Sequence, residues 1–108
     1  MKLTWEHTGK LDDGSAIAAA DFKGFTVYIN SLPGVAYPAA LNTTGKYSLD
    51  LSDPLLAPID QTKVGTYTIK LRTVAIVNGV AVESVDSSPY VYKVDPRKPS
   101  APFGLAVS

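Results

Sequence analysis

Few residues in this chain have side chains that could carry out catalysis. The 108 residues include a single His, His7, and no Cys. A His that acts as a general acid or base needs a nucleophile or a second titratable group within hydrogen-bond distance, and the sequence indicates none for His7. The lack of Cys excludes thiol nucleophiles and thiolate metal ligands. We therefore expect no catalytic residues and interpret His7 as a solvent-exposed side chain at the end of a strand.

Three acids near the N-terminus are the candidate metal ligands. Asp12, Asp13 and Asp21 could approach a calcium ion from one loop, because hard cations bind several carboxylate oxygens. Their spacing matches no established calcium-binding loop, however, and Asp is also an ordinary turn residue. We therefore interpret these acids as turn residues and predict neither a metal nor another cofactor.

Tyrosines and cationic residues form a candidate binding surface. Tyrosine beside Lys or Arg is common on surfaces that recognise proteins and sugars. Such a surface requires Tyr90 and Tyr92 to point away from the core; the alternative, which we favour, is that one or both pack inward with Val94. The candidate residues are Tyr28, Lys70, Arg72, Tyr90 and Tyr92.

Composition places these residues in one globular domain. Hydrophobic residues make up 45% of the chain and charged residues 19%, and no apolar run approaches the roughly 20 residues that a bilayer-spanning helix needs. Ten Lys and Arg balance ten Asp and Glu, so the net charge predicts neither nucleic acid nor an anionic membrane as a partner. A chain of this length has room for a single domain.

Alternating apolar and polar residues predict short strands that would carry these side chains. Pro38 confines its strand to a sheet edge, since proline cannot donate a ladder hydrogen bond. Asn78-Gly79 predicts a two-residue hairpin that pairs Val77 with Val80. Ser52 or Asp53 could cap a single helical turn that starts at Pro54. The predicted strands lie around residues 2–6, 25–30, 35–41, 47–52, 65–77, 80–83 and 90–94, with loops at 7–22 and 53–63 and a bulge or bend at 86–89.

These strands predict an all-β antiparallel sandwich over residues 1–95, because no helical pattern of useful length separates them. Residues 96–108 form a proline-rich tail. The predicted core contains Leu3, Trp5, Phe25, Val27, Ile29, Leu49, Leu51, Tyr67, Ile69 and Leu71.

The order of several short segments resembles a known family. Four segments carry the resemblance: Leu3-Thr4-Trp5, Asp13-Gly14, Gly24-Phe25-Thr26-Val27-Tyr28 and Gly65-Thr66-Tyr67-Thr68-Ile69-Lys70-Leu71. In this order they resemble strand B, the loop after it, strand C and strand F of the fibronectin type III module, most closely its bacterial and phage versions. Glu83-Ser84 and Ser88-Pro89 fall where that family runs into strand G. Gln61 is a departure, since the family has a leucine shortly before the F-strand tyrosine. The resemblance implies an immunoglobulin-like sandwich of about seven strands.

The same resemblance implies that strand A is missing ahead of strand B. Strand A of such modules has the form Pro-x-x-Leu-x-Val, and a segment of that form stands at Pro99–Val107. A sandwich without strand A leaves strand B with unpaired backbone groups, which invite the addition of another strand. The tail could complete the sheet in the same molecule or in a neighbouring one; a third interpretation is a domain cut from a tandem array one strand out of place. The residues expected to complete the sheet are Pro102, Phe103, Leu105 and Val107.

The resemblance also implies a function. It favours a non-catalytic structural or adhesive module of a phage or prophage virion or of a cell-surface assembly, with protein partners that are neighbouring copies or tandem domains. The alternative is a carbohydrate-binding accessory domain of an exported enzyme or surface protein, in which the tyrosine surface binds polysaccharide. The expected location is the virion or the cell surface, although the residues Met1 to His7 contain no signal peptide.

Overall fold

The computed structural model describes residues 2–102, 104, 106 and 107, which form seven β-strands and one turn of 3-10 helix. All strand pairs are antiparallel, so the predicted all-β antiparallel sandwich is confirmed. The strands are β1 (Lys2–Glu6), β2 (Phe22–Ile29), β3 (Val35–Pro38), β4 (Lys46–Asp50), β5 (Gly65–Val77), β6 (Val80–Glu83) and β7 (Tyr90–Val94), and the 3-10 turn is Pro54–Leu56.

The strands form two layers. One is a two-stranded sheet of β1 and β4, and the other has the order β3-β2-β5-β6. β7 also pairs with β5. β6 pairs with residues 74–77 of β5 and β7 with residues 65–69, so these two short strands follow one another along the same edge of β5. β3 lies at the outer edge of the larger sheet, as Pro38 predicts.

The core lies between the layers because the register brings the apolar halves of the strands to one face. Val27 pairs with Leu71 and Ile29 pairs with Ile69, and all four are buried. Successive strand residues point to opposite faces, so this register points every second residue of β2 and β5 inward. Of the predicted core, Trp5 and Tyr67 are partly buried and the rest are buried. Buried residues that the prediction missed are Ile17, Phe22, Tyr47, Leu56, Ile59 and Ala75. Tyr92 and Val94 are also buried, as the favoured inward packing of the tyrosines predicts.

Two local predictions are confirmed. Asn78 and Gly79 have φ angles of 52° and 77°, the positive values that a two-residue primed turn requires, and Val77 pairs with Val80. The Asp53 carboxylate accepts a hydrogen bond of 2.9 Å from the Leu55 N–H and thus caps the 3-10 turn, in which Pro54 stands first.

β2 begins earlier than predicted, at Phe22 rather than Phe25. Its register with β5 shifts between Phe22 and Gly24, which is the signature of a bulge. Gly24 has a φ of 113°, and a Cβ at this position would collide with the carbonyl oxygen of Tyr37 on β3. Glycine is therefore required here for β3 to approach β2.

The two ends of the sandwich can be told apart. The hairpin pole is the end with the Asn78-Gly79 turn, and the tail pole is the end where β7 finishes at Val94. β1 runs from the tail pole to the hairpin pole, because His7, which follows β1, has its ring centre 5.8 Å from that of Phe22 at the hairpin-pole end of β2. The tail therefore leaves the sandwich at the end where β1 starts.

Candidate functional site

Three of the five predicted binding residues lie together on the outer face of the larger sheet. Tyr28 pairs with Lys70, and the Arg72 guanidinium carbon lies 4.7 Å from the centre of the Tyr28 ring. A guanidinium over a tyrosine face is attracted by the electrons of the ring.

Glu83, which the sequence analysis missed, connects this cluster to β6. Its carboxylate accepts hydrogen bonds from the Thr26 hydroxyl at 2.6 Å and the Tyr28 hydroxyl at 2.9 Å, and Arg72 Nη1 lies 3.3 Å from it. These hydrogen bonds, first Thr26 and then Tyr28, lower the pKa of Glu83, and the bond to Glu83 raises the pKa of Tyr28. The register of the hairpin could have identified Glu83, because the pairing of Val77 with Val80 already places Glu83 beside β5.

Asp86 is the second residue that the sequence analysis missed. Arg72 Nε donates to Asp86 Oδ1 at 2.7 Å, and Lys70 Nζ lies 3.9 Å from the other carboxylate oxygen. The hydrogen bond from Arg72 lowers the pKa of Asp86. Because Asp86 lies in the irregular segment between β6 and β7, no strand periodicity could have placed it. The outer cluster is therefore a set of mutually satisfied groups that holds β6 and the segment after it against the sheet.

Tyr90 and Tyr92 do not belong to this outer surface, so the five candidate residues are split between two faces. Tyr92 pairs with Tyr67 and is 9% exposed, with its hydroxyl donating to Gln61 Oε1 at 2.9 Å. Tyr90 pairs with Ile69 and is therefore on the inner face too, but is 53% exposed because the gap between the sheets is open beside it. The favoured alternative, an inward-facing Tyr92 beside Val94, is confirmed.

His7 follows the end of β1, as predicted, but it is half-buried rather than fully solvent-exposed. Its ring centre lies 6.3 Å from that of Phe25, and Nδ1 accepts a hydrogen bond of 2.9 Å from the Gly9 N–H. The loop after β1 folds back on itself, with a bridge between Lys10 and Ala16. Burial lowers the pKa of His7, and an acceptor Nδ1 belongs to the neutral form with its hydrogen on Nε2.

Asp12, Asp13 and Asp21 lie in turns. Asp13 Oδ1 accepts hydrogen bonds from the Ser15 hydroxyl at 2.5 Å and the Ser15 N–H at 2.9 Å, which lower the pKa of Asp13. The Asp21 carbonyl accepts a hydrogen bond of 2.8 Å from the Ile76 N–H. Among the residues that the structure describes, no three of His, Cys, Asp or Glu are grouped in a way that could hold a metal ion.

The most prominent unfilled feature is the outer edge of β1. Within the described ranges, β1 pairs with β4 alone. The His7 N–H donates to the Gly45 carbonyl at 2.8 Å, so by the alternation of an antiparallel ladder the backbone groups of Thr4 and Glu6 face away from β4. The Tyr37 hydroxyl donates to the carbonyl of Ser48, the partner of Thr4, at 2.9 Å. This bond agrees with the same alternation, because it requires the Ser48 carbonyl to face away from β1.

An apolar groove of 390 Å³ lies alongside this edge; we call it the β1 groove. β1 forms one wall, the segment between β6 and β7 forms the other, and inner-face residues of the larger sheet form the floor. Six residues define it: Leu3 and Trp5 from β1, Phe25 and Leu71 from the floor, and Val85 and Tyr90 from the opposite wall. In the part of the chain that the structure describes, the inside of the sandwich is thus open along one long side.

The β1 groove continues toward the hairpin pole. A neighbouring cleft of 470 Å³ shares His7, Thr73, Ser84 and Val85 with it. This cleft reaches Val77 at the end of β5 and is lined there by Asp12 and Asp13. The two clefts form one channel that follows most of the length of β5.

Serine side chains explain why the strand edge is interrupted at this wall. The Ser84 hydroxyl accepts from the Thr73 N–H at 2.9 Å and the Ser87 hydroxyl accepts from the Leu71 N–H at 3.0 Å. These hydroxyls take the place of strand carbonyls, so β5 keeps its hydrogen bonds while the chain between them bulges outward. The predicted bulge or bend at 86–89 is confirmed and already begins at Ser84.

Trp5 contributes an unsatisfied donor. Its indole Nε1 is buried and has no hydrogen-bond partner among the described residues. The ring packs edge-on against Phe25, at 5.2 Å between centres, and stacks at 6.3 Å on Tyr47. A buried donor without a partner costs about 1–3 kcal/mol, so this side of the core is not fully satisfied.

The described part of the tail forms no strand. Residues 96–102 are exposed, as is Val107, and Arg97 forms a 2.7 Å ion pair with Asp95. Of the predicted strand-completing residues, Pro102 is exposed, while Phe103 and Leu105 lie outside the described residues. Strand completion by the tail therefore stays a prediction.

Known proteins provide no match to this chain: comparisons with family models, with curated proteins and with solved structures find none. The resemblance to the fibronectin type III module therefore stays a prediction. Within the described ranges, no helix is long and apolar enough to cross a membrane.

Proposed function

We propose that this chain is a non-catalytic structural module that joins a larger protein assembly of the virion or cell-surface kind. The single observation that supports this most is the open edge of β1 above the apolar β1 groove. An uncovered strand edge is a template for another chain, and natural proteins normally blunt or cover it. The sequence resemblance to phage and bacterial modules supports the choice of assembly.

The β1 groove has the chemistry of a strand acceptor. Backbone groups of Thr4 and Glu6 can exchange hydrogen bonds with an extended segment, which supplies affinity without dependence on sequence. Specificity comes from every second side chain of that segment, since these point into the groove between Trp5 and Tyr90. Each apolar side chain that becomes fully buried there contributes about 1.5–3 kcal/mol.

Polysaccharide binding by the tyrosine surface has weaker support. The Tyr28 hydroxyl is engaged with Glu83 and one face of its ring with Arg72, and Tyr92 is in the core. A glycan array tests this alternative directly with the wild-type chain and Tyr28→Ala. We expect no specific glycan signal; a signal that Tyr28→Ala removes would favour the carbohydrate function over the assembly function.

The strand-acceptor function is tested by selecting peptides from a random display library on the full-length chain. All baits carry Leu105→Asp and Val107→Asp, which make the chain's own tail segment polar and keep the groove free. Thr4→Pro removes an N–H that faces the open edge and leaves the β1–β4 ladder intact. Ser48→Pro, directly opposite on β4, removes an N–H from the other edge and is the matched control.

We expect the parent bait and its Ser48→Pro form to enrich peptides with apolar residues at every second position. The Thr4→Pro form should lose this enrichment, provided that its circular dichroism and cooperative unfolding resemble those of the parent. The absence of any period-two enrichment on the parent bait, or enrichment that survives Thr4→Pro, would contradict the proposal.

A further inference from the structure

We infer that the β1 groove binds the C-terminal segment of a second copy of this chain, residues 99–107, in an open head-to-tail arrangement. This inference rests on the proposed function and names its partner. It follows from the direction in which the tail leaves the sandwich, the length and pattern of the tail, and the charge at the hairpin-pole end of the groove.

The direction of the tail disfavours insertion into its own molecule. β7 runs toward the tail pole and ends at Val94, whereas β1 starts at that pole. To enter its own groove, the tail would have to reverse and run parallel to β1. Prolines at 96, 99 and 102 oppose such a reversal, because each fixes φ near −65° and favours extended chain.

Insertion into a neighbouring molecule needs no reversal. A tail that continues in the direction of β7 reaches the hairpin pole of a molecule stacked below and runs along its β1 groove in the antiparallel direction. Antiparallel addition matches the pairing of every other strand in the sandwich, and antiparallel pairs are slightly more stable per residue than parallel ones.

The dimensions of the chain agree with a projecting tail. Its principal extents are 78 × 28 × 21 Å and its Cα radius of gyration is 19.4 Å. A compact domain of this length has a radius of gyration of about 13 Å. The described tail residues 96–102 are exposed and are therefore available to another molecule.

The tail segment has the pattern and the length that the groove requires. Phe103, Leu105 and Val107 alternate with Gly104 and Ala106, so an extended chain would present one apolar face and one face of small residues. Nine residues extend over about 30 Å, and the eight steps of β5 from one end of the channel to the other span about 27 Å.

The charge just before the tail segment complements the charge at the hairpin-pole end of the channel. The hairpin-pole end of the channel is lined by Asp12 and Asp13 together with Lys10, which leaves a net negative charge. Arg97 and Lys98 immediately precede the inserted segment and would lie near those acids when the segment enters at this pole. Opposite charges there fix the direction of insertion more than the affinity.

Because the tail continues along the direction of β7 into a molecule stacked in the same orientation, the contact is heterologous and does not close on itself. Such a heterologous contact produces linear chains of molecules rather than a symmetric dimer. A linear array is also the arrangement that a structural module of a surface or virion fibre would use.

Disulfide trapping tests the contact in the full-length chain, which contains no native Cys. In Thr4→Cys with Ala106→Cys, both thiols lie on the outer side of the added strand. Oxidation should produce a ladder of covalent dimers, trimers and longer chains on a non-reducing gel. Ser48→Cys with Ala106→Cys is the matched control and should remain monomeric. A disulfide that closes within one molecule, or equal ladders from both variants, would overturn the inference.

Sedimentation equilibrium supplies a second, independent measurement. The weight-average mass of the wild type should at least double between concentrations on the order of 10 µM and 1 mM. Leu105→Asp with Val107→Asp should abolish this rise, whereas Ala106→Asp, on the outer face of the segment, should retain it. A wild type that stays monomeric, or a rise that the double variant keeps, would contradict second-copy binding. Peptide enrichment on the β1 edge would in that case leave the proposed function standing with a different partner, while loss of both would remove both proposals.

Discussion

The two long sides of the sandwich differ in how the gap between the sheets is covered. On the β3–β4 side, the Tyr37 hydroxyl spans from the larger sheet to the Ser48 carbonyl at 2.9 Å, and the Tyr47 hydroxyl accepts a hydrogen bond of 3.2 Å from the Asn42 N–H. On the β1 side, the backbone edge faces the β1 groove, and Val85 and Tyr90 of the opposite wall are exposed.

On the β3–β4 side, which we call the closed side, the hydroxyls of Tyr37 and Tyr47 bond to β4 and to the loop before it; we call the β1 side the open side. The edge of β4 is covered by side chains of its own molecule, and the core residue Tyr47 beneath it is buried. The edge of β1 lacks such a cover within the described residues. The closed side therefore contributes stability within the single chain, and under our proposal a partner bound at the open side would add to it.

The largest loss of stability is expected from truncating a buried side chain on the closed side. Tyr47 contacts three aromatic rings, with its ring centre 4.8 Å from that of Phe25. Tyr47→Ala should lower the free energy of unfolding by about 3–5 kcal/mol, the usual cost of removing a buried aromatic side chain. Tyr90→Ala, on the open side, should cost about 1 kcal/mol or less because the side chain is half solvated. Urea unfolding of both variants measures the difference, and equal losses would contradict the comparison.

Much of this architecture could be predicted from the sequence, because periodicity and turn chemistry are local signals. The alternation in β5 and the Asn78-Gly79 turn are sufficient to place β5 and β6 and to pair them. The position of Val94 two residues after Tyr92 favours an inward-facing Tyr92. Periodicity alone could not establish that orientation. The bulge that begins at Ser84 separates β6 from β7, so the alternation of inward and outward residues in β6 does not continue into β7.

The site was harder to predict because its parts come from long-range packing. Leu56 and Ile59 are buried although they lie in a loop that prolines interrupt, and the Tyr67 hydroxyl accepts a hydrogen bond of 3.0 Å from the N–H of Asp60 in the same loop. Gln61 binds the Tyr92 hydroxyl and, at 3.4 Å, the Leu51 carbonyl. None of these contacts has a periodic signature. The open side results from the same kind of long-range arrangement.

The second prediction concerns the close approach of β3 to β2 on the closed side. Gly24→Ala should lower the free energy of unfolding by about 2–4 kcal/mol, because an added Cβ meets the backbone of β3 and the φ of 113° is unfavourable for alanine. Gly14→Ala is the matched control. Gly14 also has a positive φ, 87°, but open space around it, so its substitution should cost about 1 kcal/mol. Thermal unfolding measures both, and a Gly14→Ala loss as large as that of Gly24→Ala would show that φ alone sets the cost.

The third prediction isolates the bond that covers the edge of β4. Tyr37→Phe removes the hydrogen bond to Ser48 and retains the ring, so we expect a loss of about 0.5–1.5 kcal/mol. Amide hydrogen exchange should accelerate in β4. Tyr28→Phe, on the outer face, removes a hydroxyl bonded to Glu83 and serves as a control for the loss of a tyrosine hydroxyl. Faster exchange in β4 with Tyr28→Phe would contradict a specific role for Tyr37.

The smallest effect is a pH dependence on the open side. Burial lowers the pKa of His7, so the unfolded chain binds its proton more readily than the folded chain. Stability should therefore fall as the pH drops below the ordinary histidine value of about 6.5, and the fall should end once the folded chain is also protonated. The loss should stay below about 1 kcal/mol, because the half-buried imidazole remains partly solvated.

The titration of carboxylates does not overlap the pH range in which His7 titrates. Several have lowered pKa values through hydrogen bonds, so their stabilising contribution is lost only at more acidic pH, below about 4; they are Asp13, Asp50, Asp60, Glu83, Asp86 and Asp95. In His7→Asn, the amide oxygen can accept the Gly9 N–H as Nδ1 does but does not titrate. Melting temperatures measured between pH 7.5 and 5 should fall for the wild type and stay level for His7→Asn. If both proteins lose stability equally in that range, the titrating group is not His7, and the half-buried imidazole at the end of β1 has no part in the pH response of the open side.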